Sequence, residues 1–427
     1  MAHNGPVNDR NAPAPAAPED PGPLAAFAAL LTPEGRELLG LVAGTAPGEE
    51  LALATRLRRA HPAALVSAAL GQERLRARAV AKFGAGDAAR MFFTAHGLEQ
   101  STRTSVAAHR AARLASLGVR SVADLCCGIG GDALALARAG IRVLAVDRSP
   151  LTCAVARANA AALGLADLVE VREAEVTEVD TRGYGAVFVD PARRAPAGRG
   201  GRGGGNVRVF DPEAYSPPLS WAVGAARTAP YAALKIAPGI PHEAIPEDVE
   251  TEWVSERGDV KEAVLWFGTG RPASRRATLL PSGAALAVPL DRMLPDPEVR
   301  PVGRYLYEPD GAVIRAHLVA EVARQVGGGL LDATIAYVTA DEPHPTPYAT
   351  AYEITDQLPF NVKKLKALLR ERGVGNLTVK KRGSAVEPEE LRRKVKPEGP
   401  RAATVFLTRV AGAPTMLIGA PAGFEQN

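Results

Sequence analysis

The stretch Ser121–Asp147 constrains the fold of this chain more than any other. It reads as a short apolar run (Val122–Leu125), a glycine loop (Cys126-Cys127-Gly128-Ile129-Gly130-Gly131-Asp132) and a helical run (Ala133–Ala139). A second apolar run (Val143–Val146) and an acid, Asp147, complete it. Strand, turn, helix and strand in that order make a βαβ unit, whose crossover is right-handed. Glycines at 128 and 130 allow a sharp turn and let a ligand approach the main chain. The loop then lies at the carboxyl end of the first strand, where open α/β sheets bind ligands. Asp147 follows Gly128 by nineteen residues, placed to accept hydrogen bonds from both ribose hydroxyls of an adenosyl group.

The alternation continues. Apolar runs at Val169–Val171, Ala186–Val189, Ala232–Ile236 and Ala263–Phe267 are separated by stretches such as the helical Thr152–Leu163. This predicts an α/β fold with a mostly parallel, doubly wound, Rossmann-like sheet. Upstream, Leu24–Leu117 carries apolar residues at three- and four-residue spacing with abundant Ala, and its last helix spans roughly Ser101–Leu117. Downstream of Arg276, prolines punctuate the chain, and an α+β pattern follows. Its helices fall at Val313–Val326 and Val362–Arg372, its strands at Thr334–Thr339, Thr378–Lys381 and Thr404–Leu407. A chain of 427 residues exceeds one core. The expected division is a disordered, Pro- and Ala-rich leader (1–23), a helical domain (24–117), the α/β domain (118–275) and an α+β domain (276–427).

The glycine loop alone does not fix its ligand, since Gly128-x-Gly130-x-x-Ala133 also meets the loose dinucleotide pattern and leaves an NAD oxidoreductase open. Asp124 within the first strand and Asp132 after the loop disfavour a pyrophosphate. They favour S-adenosylmethionine, with its sulfonium and ammonium, although a purely structural Asp would look the same. Glu175 either accepts from the adenine amino group or belongs to a solvated loop with Glu173 and Glu178. The cofactor candidates are Asp124, Cys126, Gly128, Gly130, Asp132, Asp147 and Glu175.

Val187-Phe188-Val189-Asp190-Pro191-Ala192-Arg193-Arg194 brings an acid and a proline to the same sheet edge. Proline fixes φ and removes a donor, so the turn can present carbonyls to a substrate. Asp190 can orient an acceptor amine or take its proton. Asp190, Pro191 and Arg193 are the catalytic candidates, with Arg194, Arg199 and Arg202 as substrate ligands. The alternative is an ordinary turn with solvated arginines. Gly198–Gly205 is a low-complexity insertion whose Arg199 and Arg202, with Arg208 beyond, suit a nucleic-acid strand.

Net charge is only +4, but residues 361–401 hold thirteen Lys or Arg against five Glu, a local +8. Such a segment is either a solvated helix face or a footprint for phosphate. Lys380, Lys381 and Arg382 within it are further substrate candidates. The three cysteines, Cys126, Cys127 and Cys153, suit neither a secreted disulfide framework nor a zinc site, so no metal is expected. No apolar stretch reaches the length needed to cross a bilayer, and the chain is expected in the cytosol.

Taken together, these stretches resemble class I S-adenosylmethionine-dependent methyltransferases. More narrowly, they resemble a bacterial subfamily with a helical amino-terminal domain and a carboxyl-terminal THUMP-like domain. Gly97–Gln100, Asp124–Asp132, Asp190–Arg194, Tyr215–Pro218, Lys235–Gly239, Val260–Ala263 and Tyr305–Pro309 carry the likeness. The resemblance implies a methyltransferase sheet, S-adenosyl-L-methionine as cofactor, and direct methyl transfer to a nitrogen or oxygen of RNA (tRNA or rRNA). A binding protein without turnover, and an enzyme acting on protein or a small molecule, are the rival readings. The strand-four turn departs from the Asn/Asp-Pro-Pro-aromatic of base-amine enzymes, because Ala192 and Arg193 replace the second proline and the aromatic. With no ring to stack on a flipped base, adenine N6 chemistry is disfavoured. No cysteine neighbours Asp190, which disfavours a thiolate adduct.

Overall fold

The computed structural model describes residues 22–46, 48–192 and 211–423. The leader up to residue 21 and the candidates Arg193, Arg194, Arg199 and Arg202, with Arg208, lie outside the described residues.

Helices fill the first third: α1 (Pro23–Leu30), α2 (Pro33–Val42), α3 (Glu50–Leu57), α4 (Ala63–Arg90), α5 (Ala95–Gln100) and α6 (Thr104–Ser116). Thr32 starts α2 by accepting from the Gly35 amide, with Pro33 at the first helical position. The last expected helix, roughly Ser101–Leu117, is α6, and the shorter α5 precedes it with Ser101 as its C-cap. Between α4 and α5 the extended residues 91–94 are held by two buried amides. Gln72 accepts from the Phe93 amide and donates to its carbonyl, and Asn159 does the same for Phe92.

The α/β part follows as β1 (Ser121–Leu125), α7 (Gly131–Arg138), β2 (Arg142–Asp147), α8 (Pro150–Ala162), β3 (Val169–Glu173) and β4 (Ala186–Val189). It continues with α9 (Leu219–Thr228), β5 (Tyr231–Ile236), β6 (Glu250–Glu256), β7 (Asp259–Phe267), β8 (Ser274–Leu280) and β9 (Ala284–Pro289). The sheet order is β3-β2-β1-β4-β5-β7-β6-β8-β9. The first five strands are parallel, as the alternating pattern predicts, and β7 reverses direction beside β5. The boundary expected at 275/276 falls inside β8, which pairs in parallel with β6 and carries the sheet on to Pro289. Trp253 and Trp266 are fully buried at this end.

Helix α6 joins the helical region to the sheet through buried charge. Glu252 on β6 accepts from His109 and Arg113 of α6, from Trp266, and from Thr278 of β8. Burial raises the affinity of a carboxylate for a proton, but these donors outweigh it and hold Glu252 far below the usual range. Removing one partner from such a buried pair costs roughly 3–5 kcal/mol.

A second sheet is built from β10 (Tyr305–Pro309), β11 (Gly329–Asp332), β12 (Ile335–Ala340), β13 (Ala349–Pro359), β14 (Val374–Lys381), β15 (Arg401–Val410) and β16 (Ala413–Pro421). Its order is β11-β12-β10-β13-β16-β15-β14. Helices α10 (Gly311–Arg315), α11 (Val319–Gln325), α12 (Val362–Glu371) and α13 (Pro388–Val395) complete it. The single helix expected over Val313–Val326 is two, because His317 takes a left-handed φ of 58°. Helices α12 and α13 pack Leu365, Leu369, Leu391 and Val395 against β14, β15 and β16. The fold class is thus the expected one: helical region, Rossmann-like sheet and α+β domain.

Candidate functional site

A cavity of 610 Å³ opens at the carboxyl ends of β1, β2 and β4. The glycine loop forms its floor, and each loop residue is there for a local reason. Gly128 and Gly130 adopt φ of 56° and 89°, the left-handed region that favours glycine. Cys126 adopts φ 69° without being glycine, so its half-buried side chain is held in a strained backbone state at the cavity wall. Burial, with the charges of Asp190 and Asp147, pushes its thiol pKa upward, which keeps it protonated.

Asp147 caps the loop from β2. One carboxylate oxygen accepts from the Gly128 amide at 3.1 Å, the other from the Ser149 amide at 2.9 Å. Each oxygen keeps acceptor capacity toward the cavity. Glu175 stands exposed at the rim with Arg148 4.0 Å away. Both line the cavity, as do Asp124, Cys126, Gly128, Asp132, Asp190 and Pro191. Gly130 lies one turn deeper, against Ala156 of α8.

Asp124 and Asp132 have different roles. Asp132 is engaged: Thr102 donates to it at 2.7 Å and Arg110 forms an ion pair with it. Asp124 is fully buried, and neither carboxylate oxygen has a hydrogen-bond partner among the described residues. Burial first, then the nearby charges of Asp132 and Asp190, raise its pKa well above the usual carboxylate range. An uncompensated buried acid is costly unless it stays protonated or meets a cation.

The residues that organise these acids come from scattered segments, and the motif reading assigned them no role. Arg110 of α6, over the Phe188 ring at 4.5 Å, bridges Asp132 and Glu262 of β7. Lys235 of β5, with 7% of its side chain exposed, donates to Asp190 at 2.5 Å and to Thr102 at 2.9 Å. Burial lowers a lysine pKa, but Asp190, Asp132 and Glu262 outweigh it and raise that of Lys235. The chain Glu262–Arg110–Asp132–Thr102–Lys235–Asp190 therefore runs under the cavity. Three acids of this chain face two cations, and buried Asp124 beside them can ionise when a cation arrives, an arrangement that suits a positively charged ligand.

The helical region supplies the opposite wall. Thr94, Gly97, Gln100 and Thr102 line the cavity. Gly97 sits so close to the loop that a Cβ there would meet Ile129 at 2.4 Å. Lys82 donates to the carbonyls of Leu98, Glu99 and Ser101 and so closes the end of α5. Asn159 also donates to the Ile129 carbonyl, which ties residues 91–94 and the loop together.

Lys380, Lys381 and Arg382, expected as phosphate ligands, do not line this cavity. Lys380 pairs with Glu308, Lys381 with Glu387, and Arg382 approaches Glu308 at 3.8 Å. These three cations share two carboxylates, Glu308 and Glu387, so their charge is largely offset within the fold. Among the described residues no cluster of His, Cys, Asp or Glu is arranged to hold a metal ion, and no helix is long and apolar enough to cross a membrane.

Comparisons with known proteins agree on one kind of enzyme. Residues 122–190 match a methyltransferase domain family, 349–421 a THUMP domain-like family, and 21–79 a domain family of unknown function. Two Mycobacterium tuberculosis proteins, from strains CDC 1551 and H37Rv, are named S-adenosylmethionine-dependent methyltransferases. Each is 36% identical over 324 residues, covering 74% of this chain and 84% of the relative. The crystal structure of a Porphyromonas gingivalis W83 protein described as a methyltransferase superposes with a TM-score of 0.71. It covers 91% of this chain and 98% of that one at 21% identity.

Proposed function

The chain belongs to the S-adenosylmethionine-dependent methyltransferases, and we propose that it methylates a nitrogen or oxygen of a cellular RNA, tRNA or rRNA, in the cavity above the glycine loop. The observation that carries this reading is that one cavity holds both the loop and Asp190-Pro191. Cofactor end and acceptor end are thus adjacent, which supplies the proximity that a direct displacement needs.

When bound, S-adenosylmethionine supplies an electrophilic methyl group on a sulfonium whose leaving group is a neutral thioether. The residues present fit it. Asp147 and Glu175 are placed for the adenosyl hydroxyls and amine. Asp124 offers two unpartnered buried oxygens to a positive ligand. In the acceptor half, Asp190 orients an N–H or O–H by accepting its hydrogen bond, and the ion pair with Lys235 holds that carboxylate in place. Asp190 would take up the proton that the acceptor loses on methylation and pass it to solvent. Cys126 takes no part as a nucleophile, since its thiol is held protonated. By sequence position Arg193 and Arg194 follow the Asp-Pro turn, and we assign them, with Arg199 and Arg202, to the acceptor's phosphates. With that RNA, we assign the enzyme to the cytosol.

RNA is favoured as acceptor by the match to a THUMP domain-like family and by the basic segment at 361–401. The test uses radiolabelled S-adenosylmethionine with total RNA from cells lacking the gene. Wild-type protein should label RNA. Asp190→Ala should lose about 10²–10⁴-fold in rate while binding S-adenosylhomocysteine within about threefold of wild type. Label in protein but not in RNA, or full activity in Asp190→Ala, contradicts the proposal.

A further inference from the structure

The α+β domain carries a cationic face that neither the cavity nor the ion pairs of the fold use. Lys363, Lys364, Lys366 and Arg370 of α12 are exposed, and among the described residues no carboxylate pairs with any of them. Their neighbours differ: Lys380, Lys381, Arg392 and Lys394 each have a glutamate partner. Positions 363, 366 and 370 fall at three- and four-residue spacing, so three of the charges share one side of the helix.

This arrangement is unfavourable to the helix itself. Its first turn contains Lys363 and Lys364 and no acid, although that end carries the positive pole of the helix dipole. Like charges at 363, 366 and 370 also repel along the face. Each effect is small. Arg370 in the last turn meets the favourable end of the dipole and Asn361 caps the first turn, but no carboxylate among the described residues neutralises Lys363, Lys364 or Lys366, which leaves their charge to an external anion. Arg393 on the adjacent α13 and Lys396 just after its end add two more exposed charges without an ion pair among the described residues. The apolar side of α12 is occupied, since Leu365 and Leu369 are 0% and 2% exposed in the domain core. The helix therefore offers charge without an apolar face to insert into a bilayer. A partner with repeated phosphates along a backbone fits it.

We propose that this face of α12, extended by Arg393 and Lys396, is the footing for the phosphate backbone of the RNA substrate. The footing lies outside the cavity, so it supplies sequence-independent affinity while selection of the target base falls to the cavity. The inference rests on the RNA reading above and relocates the phosphate contacts from Lys380, Lys381 and Arg382 to α12.

The test is binding of fluorescein-labelled bulk bacterial tRNA to the full chain by anisotropy, from 50 to 300 mM salt. Three proteins are compared: wild type, Lys363→Glu/Lys366→Glu/Arg370→Glu, and a control of equal charge change, Arg56→Glu/Arg59→Glu/Arg78→Glu, on exposed residues of the helical region. The α12 variant should bind at least about tenfold more weakly at 100 mM salt, with the slope of log K against log salt reduced by about 2. The control should stay within about threefold, and all three should bind S-adenosylhomocysteine alike. If the α12 variant and the control weaken equally, the footing is overturned and the RNA reading stands. If wild type binds no tRNA but binds vesicles of anionic phospholipid through α12, both are overturned.

Discussion

Asp124 is buried with both oxygens unsatisfied, and a carboxyl in that state holds its proton until a cation arrives. Its pKa is raised on folding. Its contribution to the stability of the ligand-free protein is therefore full at low pH and is lost as pH rises above the usual carboxylate range. Cofactor binding has the opposite slope: the ionised form suits the sulfonium and ammonium, so affinity rises with pH and binding releases a proton. Asp124→Asn should raise the melting temperature of the free protein at pH 7.5 by about 2–4 °C and weaken S-adenosylhomocysteine binding at least tenfold. Calorimetry in buffers of different ionisation enthalpy checks the proton release; the same heat in every buffer would sink this account of Asp124. Asp124, Asp132 and Asp147 were legible in the sequence because they sit at fixed offsets from one loop. The role of their partners was not: Lys235 and Glu262 lie in stretches that carry the family likeness, yet neither they nor Thr102 and Arg110 show there what they pair with, because no local pattern marks a charge that tertiary packing will bury.

At the scale of elements, α5 is the part whose role was least visible. Its residues Gly97–Gln100 carry the family likeness without showing a role, yet it forms a wall of the cavity and rests on the loop at Gly97. What fixes it is Lys82, reaching from α4 to three carbonyls at its end. Burial first, then the charges of Arg103 and Lys235, lower the Lys82 pKa to about 8, so the clamp keeps its full charge only below that pH. Lys82→Met should leave the sheet intact, speed amide exchange across residues 95–101, and raise the dissociation constant for S-adenosylhomocysteine about tenfold. Lys82→Arg should recover part of the loss. Unchanged exchange in Lys82→Met would remove the clamp from the account. The strands that sequence reading missed have physical explanations too. In β13, Ala349–Pro359, buried and exposed positions do not alternate cleanly, so its apolar signal is weak. Strands β8 and β9 lie in a proline-marked stretch that reads as a domain junction, yet pairing with β6 overrides that signal.

At the scale of the molecule, the order of parts was legible because the period of the apolar pattern changes along the chain. It is helical before Ser121, strand and helix alternate after it, and shorter mixed elements follow the prolines. How the parts cooperate was not legible. The helical region completes the cavity through α5 and the residues that flank it, Thr94 to Thr102, and the α+β domain presents its unpaired charge on α12. A substrate long enough to touch both α12 and the cavity is the economical reading of that layout. The most direct measurement is mass spectrometry of nucleosides from the tRNA and rRNA of cells lacking the gene, with and without complementation. One methylated nucleoside should disappear in the deletion, return with the wild-type gene, and fail to return with Asp190→Ala. An RNA nucleoside profile identical in all four strains would contradict the claim that this chain methylates RNA through Asp190.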